Sequence, residues 1–191
     1  MSKTPSTMLE LGTPAPDFAL PDTAGHSVSL TDYAGKPLLV VFSCNHCPYV
    51  LHILEKFVDL VRQFQQQGLS VVMINANDVS SFPEDSPEKM RALADQYQFS
   101  FPYLFDDSQH IARAYRAACT PDFFLFDQSH QLYYRGQFDN ARPGNAEPVT
   151  GQDLSRAVEQ LIQGRDAPEQ QLPSLGCNIK WKAGNEPDYF V

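Results

Sequence analysis

Gly35-Lys36-Pro37-Leu38-Leu39-Val40-Val41-Phe42-Ser43-Cys44-Asn45-His46-Cys47-Pro48 is the stretch on which the fold turns. Its first half is a continuous apolar run behind Gly35-Lys36. Such a run reads as a strand covered on both faces, because alternation is needed only where one face meets water. Beyond Pro48, Leu51, Leu54, Val58 and Val61 recur at three- and four-residue spacing, joined by Phe57 and Phe64. That spacing predicts a helix with one apolar face. Gly68 stands where a left-handed residue would close it, and Leu69 to Ile74 reads as a second buried strand. Strand, helix and strand over residues 37–75 form a βαβ unit with an expected right-handed crossover. The two cysteines fall between the first strand and the helix.

Working outward, Phe18-Ala19-Leu20 reads as a short strand and Asp22 to His26 as a turn. Val28 and Leu30 alternate with serines as an edge strand does. On the other side, Ser80 to Ser86 is a loop. Ser86-Pro87-Glu88 starts a helix, with a serine cap and proline first, running to about Tyr97. Asp107-Ser108 can start another through Tyr115. Phe123 to Phe126 and Leu132 to Arg135 read as strands of a hairpin around Asp127 to His130. Thr150-Gly151-Gln152-Asp153 resembles a capping box with Asp in the place of Glu, opening a last helix that ends near Gly164. Residues 1–16 and 165–191 look irregular. The second of these carries Trp181, Tyr189 and Phe190 and is expected to pack on the body. The expectation is a single domain over 1–191, with a core of about 10–164.

The chain has 191 residues, 42% of them apolar and 12% aromatic, which excludes global disorder. Fifteen prolines point to long, fixed loops. Fourteen basic against 23 acidic residues give a formal charge of −9. That field repels phosphate backbones and anionic lipid, so neither nucleic acid nor membrane is an expected partner. The longest apolar run, Leu38 to Phe42, is far short of the ~20 residues of a membrane span. Met1 to Thr7 lacks the apolar core of a signal peptide, so a cytoplasmic location is expected. There is no phosphate loop, dinucleotide glycine fingerprint or Ser/His/Asp arrangement, and no cofactor is expected.

Four cysteines remain to be explained: Cys44, Cys47, Cys119 and Cys177. A C-x-x-C beside a βαβ unit in a cytosolic protein reads as a redox motif. Ligands of open α/β sheets sit at the carboxyl ends of strands, and Thr120-Pro121, just before Phe123 to Phe126, falls at that same end. A helix N-terminus offers unpaired N–H groups and partial positive charge, which favour thiolate over thiol. Pro48 is best placed as the first helical residue, which makes Cys47 the cap. With Cys44 as cap, Pro48 would be fourth, at the margin of what a helix tolerates. Cys47 is therefore the expected nucleophile and Cys44 its disulfide partner, cycling between dithiol and disulfide. His46, as an imidazolium, would stabilise a thiolate beside it. Cys44, Cys47, His46 and His52 carry ligand chemistry, but a structural zinc site wants a second matched pair, so no metal is expected. Asn75, Asn77 and Asp78 either line the cleft or only turn the chain.

The motifs resemble the thioredoxin-fold redox families. Gly12-Thr13-Pro14-Ala15-Pro16-Asp17-Phe18-Ala19-Leu20, Gly25, Val28-Ser29-Leu30 and Gly35 to Phe42 are similar to the N-terminal half of the alkyl hydroperoxide reductase/thiol-specific antioxidant (AhpC/TSA) superfamily, with its peroxiredoxins and TlpA/ResA-type proteins. Thr120-Pro121 resembles that fold's Thr–cis-Pro element, which lies against the active cysteine. Ser43 to Pro48 and Gly176-Cys177-Asn178-Ile179-Lys180-Trp181 resemble a bacterial thioredoxin-like subgroup. In TlpA-like proteins the nucleophile stands five residues after the strand Phe and precedes Pro, which is Cys47; in peroxiredoxins the residue three before the nucleophile is Thr, here Cys44. The resemblance implies a thioredoxin-like α/β fold: a central mixed sheet flanked by helices, with an N-terminal β-hairpin extension. It also implies a thiol–disulfide oxidoreductase acting on a disulfide-bearing protein or a small thiol, or alternatively a thiol peroxidase acting on peroxide, each recycled by a thiol reductant. A non-enzymatic metal- or thiol-binding module is the third alternative. Thr120, Pro121 and His46 are the implied substrate-side residues. Arg142 resembles the peroxiredoxin arginine near the reactive sulfur. Cys119 reads as a buried thiol or an extra resolving cysteine, and Cys177 as a packed tail residue or a resolving cysteine.

Overall fold

The computed structural model describes residues 3–190. Five strands form the central sheet: β4 (Leu38–Phe42), β5 (Ser70–Asn75), β6 (Tyr103–Phe105), β8 (Asp122–Phe126) and β9 (Leu132–Gly136), in the order β6-β5-β4-β8-β9. β5 runs parallel to β4 and β6; β8 runs antiparallel to β4 and β9. The sheet is mixed, as expected. β2 (Ala19–Pro21) and β3 (Ser27–Ser29) make the N-terminal hairpin.

The apolar run in β4 is explained by what covers it. All five residues are buried, and their side chains divide between two cores. Leu39 and Val41 join the core containing Leu54, Phe57 and Val61 of α1 (Pro48–Gln66). Met90 of α2 (Pro87–Tyr97) and Leu154 and Val158 of α4 (Gln152–Ile162) lie on that side as well. Leu38, Val40 and Phe42 join the opposite core, with Ala112 of α3 (His110–Ala114), Phe18 just before β2 and Leu20 within it. A strand between two helical layers has no wet face, so it has no polar alternation.

Two expectations need correcting. The box at Thr150 to Asp153 does not form. Gly151, not Thr150, is the residue before α4, at φ +68°, and it has no side chain to cap the helix; the Thr150 hydroxyl accepts from Gln152 N at 3.3 Å rather than from Asp153 N. Asp139 Oδ2 takes the N–H groups of Thr150 and Gly151, each at 2.7 Å. Asp153 instead accepts from Gln137 Nε2 at 2.7 Å. Glycine is required there for space as well as for φ, since a Cβ would meet Leu60 Cδ1 at 2.4 Å and Phe138 Cζ at 2.6 Å. Gly151→Ala is therefore expected to cost about 2 kcal/mol or more, read as a lowered urea midpoint with an unchanged slope.

The second correction concerns the segments read as irregular. β10 (Leu175–Asn178) lies between β1 (Lys3–Pro5) and β7 (Cys119–Thr120), antiparallel to both. These strands are of two to four residues, too short to show a period of two, and pairing between distant segments creates them. Among the described residues no helix is long and apolar enough to cross a membrane.

Candidate functional site

The chain leaves β4 at Phe42 and reaches α1 in five residues. Cys47 is the residue before the helix, at φ −69° and ψ 122°, and Pro48 is the first helical residue. Its ring fixes φ and its missing N–H is one the helix start does not need. The connecting loop is pinned by the 3₁₀ turn Pro83–Asp85. Asp85 Oδ1 accepts from Asn45 N at 2.8 Å, and Asn45 Nδ2 donates to Glu84 O at 3.0 Å. Tyr103 OH donates to Asn45 Oδ1 at 3.0 Å.

Thr120 is brought over both sulfurs by β7, ahead of a cis Thr120–Pro121 peptide. Its hydroxyl lies 3.5 Å from Cys44 Sγ, and its carbonyl oxygen lies 3.2 Å from Cys47 Sγ, where only the protonated thiol can donate to it. Cys47 and Cys44 are 0% and 1% exposed, so a substrate reaches them only after the cover moves.

The two sulfurs differ in their acid–base behaviour. Cys47 is pulled down to about 5, foremost because Cys44 hydrogen-bonds its thiolate. Burial opposes this, while Thr120, the Val50 N–H in the first helical turn and Cys177 add to it. Cys44 is pushed up by the same bond, then by burial and by the Asp85 carboxylate. One proton shared by two sulfurs thus rests on Cys44. Alkylation of Cys47 by iodoacetamide, followed by peptide mass spectrometry from pH 4 to 10, is expected to reach half its plateau near pH 5. A midpoint near 9 would show an ordinary thiol.

The other candidates are placed as follows. Asp85 Oδ2 stands 2.8 Å from His46 Nδ1, but off the line of a hydrogen bond. The His46 ring stacks on Phe82. Ligand atoms of Cys44, His46 and Asp85 lie within 4.8 Å of one another, a set able to hold a metal ion; His52 is exposed on α1. Cys119 is fully buried, its thiol facing Pro121 O at 3.6 Å, and burial pushes it up. Cys177 hydrogen-bonds Cys47 from β10 and is pushed up to about 12, mainly by burial. The Arg142 guanidinium donates to Gln137 Oε1 and to the carbonyls of Asp139 and Ala141. It lines a crevice beside Pro121 with Tyr49 and Phe138.

Asn75 and Asn77 turn out to be a bracket. Asn75 Nδ2 donates to Asp85 O and Asn77 Nδ2 to Asp85 Oδ2, both at 2.7 Å. Asn77 Oδ1 accepts from Lys180 N at 2.9 Å, and Asp78 N donates to Lys180 O at 2.8 Å. Sequence reading missed Asp85 and Tyr103. Asp85 sits in an acidic, proline-rich loop where nothing marks it from Glu84, and only its fold partners distinguish it.

The family model described as "AhpC/TSA family" matches residues 11–135. The chain is 28% identical over 158 residues to the thiol-disulfide oxidoreductase ResA of Geobacillus kaustophilus, covering 83% of this chain and 82% of the relative. It is 34% identical over 115 residues to a Mycobacterium tuberculosis protein provisionally named a peroxiredoxin, covering 60% and 68%. A crystal structure of a hypothetical protein from Sinorhizobium meliloti 1021 superposes with a TM-score of 0.93 at 49% identity, over 95% of this chain and 100% of that one. A thiol:disulfide interchange protein of the DsbE type from Chlorobium tepidum, at 22% identity and a TM-score of 0.62 over 81% and 99%, shares the fold alone. The fold is thioredoxin-like. By the match over residues 11–135, the chain belongs to the AhpC/TSA family and is a redoxin-type thiol oxidoreductase.

Proposed function

We propose that the protein is a thiol–disulfide oxidoreductase in which Cys47 attacks and Cys44 resolves. The observation that supports this most directly is the place of Cys47 as the residue before α1, with Pro48 first in the helix and Thr120 over both sulfurs; in that setting Cys44 lowers Cys47 and is itself raised. A nucleophile needs its thiolate at neutral pH, and a resolving thiol is best kept protonated until a mixed disulfide exists. The Cys47 thiolate attacks one sulfur of a substrate disulfide. The other substrate sulfur leaves as a thiolate and takes up a proton. Cys44 then loses its proton and attacks Cys47 Sγ, expelling the second substrate thiolate. Two electrons pass to the substrate, Cys44–Cys47 becomes the disulfide, and an external thiol reductant restores it. Thr120 and Pro121 form the wall against which the substrate lies, and His46, held against Phe82 and Asp85, sits between the two cysteines. The ResA relative supports a protein disulfide as substrate.

Peroxidase activity is the second reading, supported by the Mycobacterium tuberculosis relative. In that chemistry Cys47 takes an oxygen from peroxide, becomes a sulfenic acid and condenses with a second thiol, releasing water. The Arg142 guanidinium, spent on loop oxygens, supports this reading less. The test runs both substrates with the reduced protein. Insulin disulfides or oxidised glutathione are expected to be reduced with Cys44–Cys47 as product, and Cys44→Ser is expected to trap substrate on Cys47. Stoichiometric loss of hydrogen peroxide within seconds, with disulfides left intact, would transfer the assignment to the peroxidase.

A further inference from the structure

Asp85 is a buried carboxylate that no lysine or arginine among the described residues pairs with. Its side chain is 0% exposed, and its one ion-pair contact is His46. A buried carboxylate without a fixed cation is held at a cost. Asn45 N takes one lone pair of Oδ1 and Asn77 Nδ2 one of Oδ2, and a carboxylate offers about four such positions. Facing it, His46 Nδ1 is buried, stands 2.8 Å from Oδ2 and makes no hydrogen bond. Cys44 Sγ completes a trio of ligand atoms that all lie within 4.8 Å of one another. Cys44 and His46 come from one loop, and Asp85 comes from the 3₁₀ turn that pins it. The second matched pair that the cysteine spacing lacks is thus replaced by a carboxylate from another segment.

We propose that Cys44, His46 and Asp85 form a zinc site that withholds Cys44 from disulfide exchange. Sulfur, nitrogen and oxygen donors together suit zinc, whereas calcium and magnesium want oxygen alone and copper(I) prefers softer sets. Zinc bonds of about 2.0–2.3 Å place ligand atoms roughly 3–4 Å apart, so the trio closes on an ion by moving about an ångström. Three protein ligands leave the fourth position of a tetrahedron to water. Binding replaces the S–H bond of Cys44 by a sulfur–zinc bond. The proton leaves to solvent and no electron is transferred. The two charges of the ion meet the Cys44 thiolate and the Asp85 carboxylate, which makes the buried site neutral. A zinc-bound Cys44 has no free thiolate with which to attack Cys47 Sγ. Cys47 stands outside the trio, so it still attacks a substrate disulfide and then stays in the mixed disulfide. This effect on turnover rests on Cys44 being the resolving thiol; the site itself does not.

The full-length reduced protein, freed of metal by a chelator and kept from oxygen, is titrated with cobalt(II) in the place of zinc. One equivalent is expected to give the charge-transfer band of a cobalt–thiolate bond with the visible bands of tetrahedral cobalt, and one equivalent of zinc to remove both. Losing a group that merely supports a ligand costs about 10–100-fold in affinity, so His46→Ala and Cys44→Ser are each expected to weaken zinc by at least about a hundredfold in competition with a chromophoric chelator. Asp85→Asn is expected to do the same. Because Asp85 also pins the loop, His46→Ala decides the matter if that variant does not fold. Cys47→Ser is expected to keep the cobalt spectrum. A spectrum lost in Cys47→Ser but kept in His46→Ala, or no thiolate band at all, would overturn the site. With oxidised glutathione and mass spectrometry after acid quenching, zinc is expected to lengthen the life of the Cys47–glutathione adduct in the unaltered protein to that in Cys44→Ser, and the chelator to reverse it. An adduct lifetime indifferent to zinc, in protein that shows the cobalt spectrum, would overturn the withholding of Cys44. An adduct that lasts no longer in Cys44→Ser than in the metal-free unaltered protein would instead overturn Cys44 as the resolving thiol, and the cobalt and chelator measurements would decide the site by themselves.

Discussion

Cys47→Ser is expected to lower disulfide reduction by at least about a thousandfold, because removing a covalent nucleophile leaves only binding and background chemistry. The size of the effect follows from the other three sulfurs. Burial and the bond to Cys47 hold Cys44 above its ordinary value, and burial does the same to Cys119. Cys177, pushed up to about 12, is ionised at pH 7 to about one part in 10⁵, each pKa unit being a factor of ten. None can replace a thiolate that forms near pH 5. Replacing Cys47 also removes the bond that raises Cys44, so Cys44 becomes somewhat more acidic but remains buried. The measurement is the initial rate with oxidised glutathione under a fixed reductant. A Cys47→Ser rate above a tenth of the original would move the nucleophile to Cys44.

Asp122→Asn is expected to change the pH dependence of stability more than any other single carboxyl replacement. Asp122 follows Pro121 behind the site and is fully buried. Burial raises its carboxyl to about 7 from 3.8, against the N–H of Ala118, which donates to it at 3.2 Å. The folded protein thus keeps this proton up to about pH 7, while the unfolded chain loses it near 3.8. The stability tied to Asp122 is present in full below 3.8 and is lost as pH rises through 7. About three units at ~1.4 kcal/mol each give an upper bound of roughly 4 kcal/mol.

Cys47 acts in the opposite sense. Its folded value is depressed from 9.0 to about 5, so its contribution is present above 9 and is lost as pH falls through 5. The two slopes partly cancel in the unaltered protein, which is why the informative quantity is the difference between Asp122→Asn and the parent. Urea unfolding at pH 4 and pH 8 is expected to show that difference moving in favour of the variant by roughly 2–4 kcal/mol. A difference that stays flat over this range would mean that Asp122 is not held protonated.

The run Leu38 to Phe42, the cysteines, Pro48 and the helical spacing after it determined the centre of the fold from the sequence alone. Each of these signals is local. Apolar density marks a strand buried on both faces. Proline fixes where a helix begins, and with it which cysteine caps the helix. Thr120-Pro121 was legible through the family resemblance, as a two-residue signature, rather than through a physical pattern of its own. What the tertiary structure decided lies across long stretches of chain. Asn45 meets Asp85 at a separation of 40 residues, and Thr120 meets Cys47 and Cys44 at 73 and 76. No periodicity encodes such contacts, because they arise when separate segments share one edge or one loop. The box expected at Thr150 gave way to Asp139, whose carboxylate reached those N–H groups from another loop. The tail is the strongest case. Gly176-Cys177-Asn178 is too short to declare itself a strand, and pairing with β1 and β7 makes it one and sets Cys177 against Cys47.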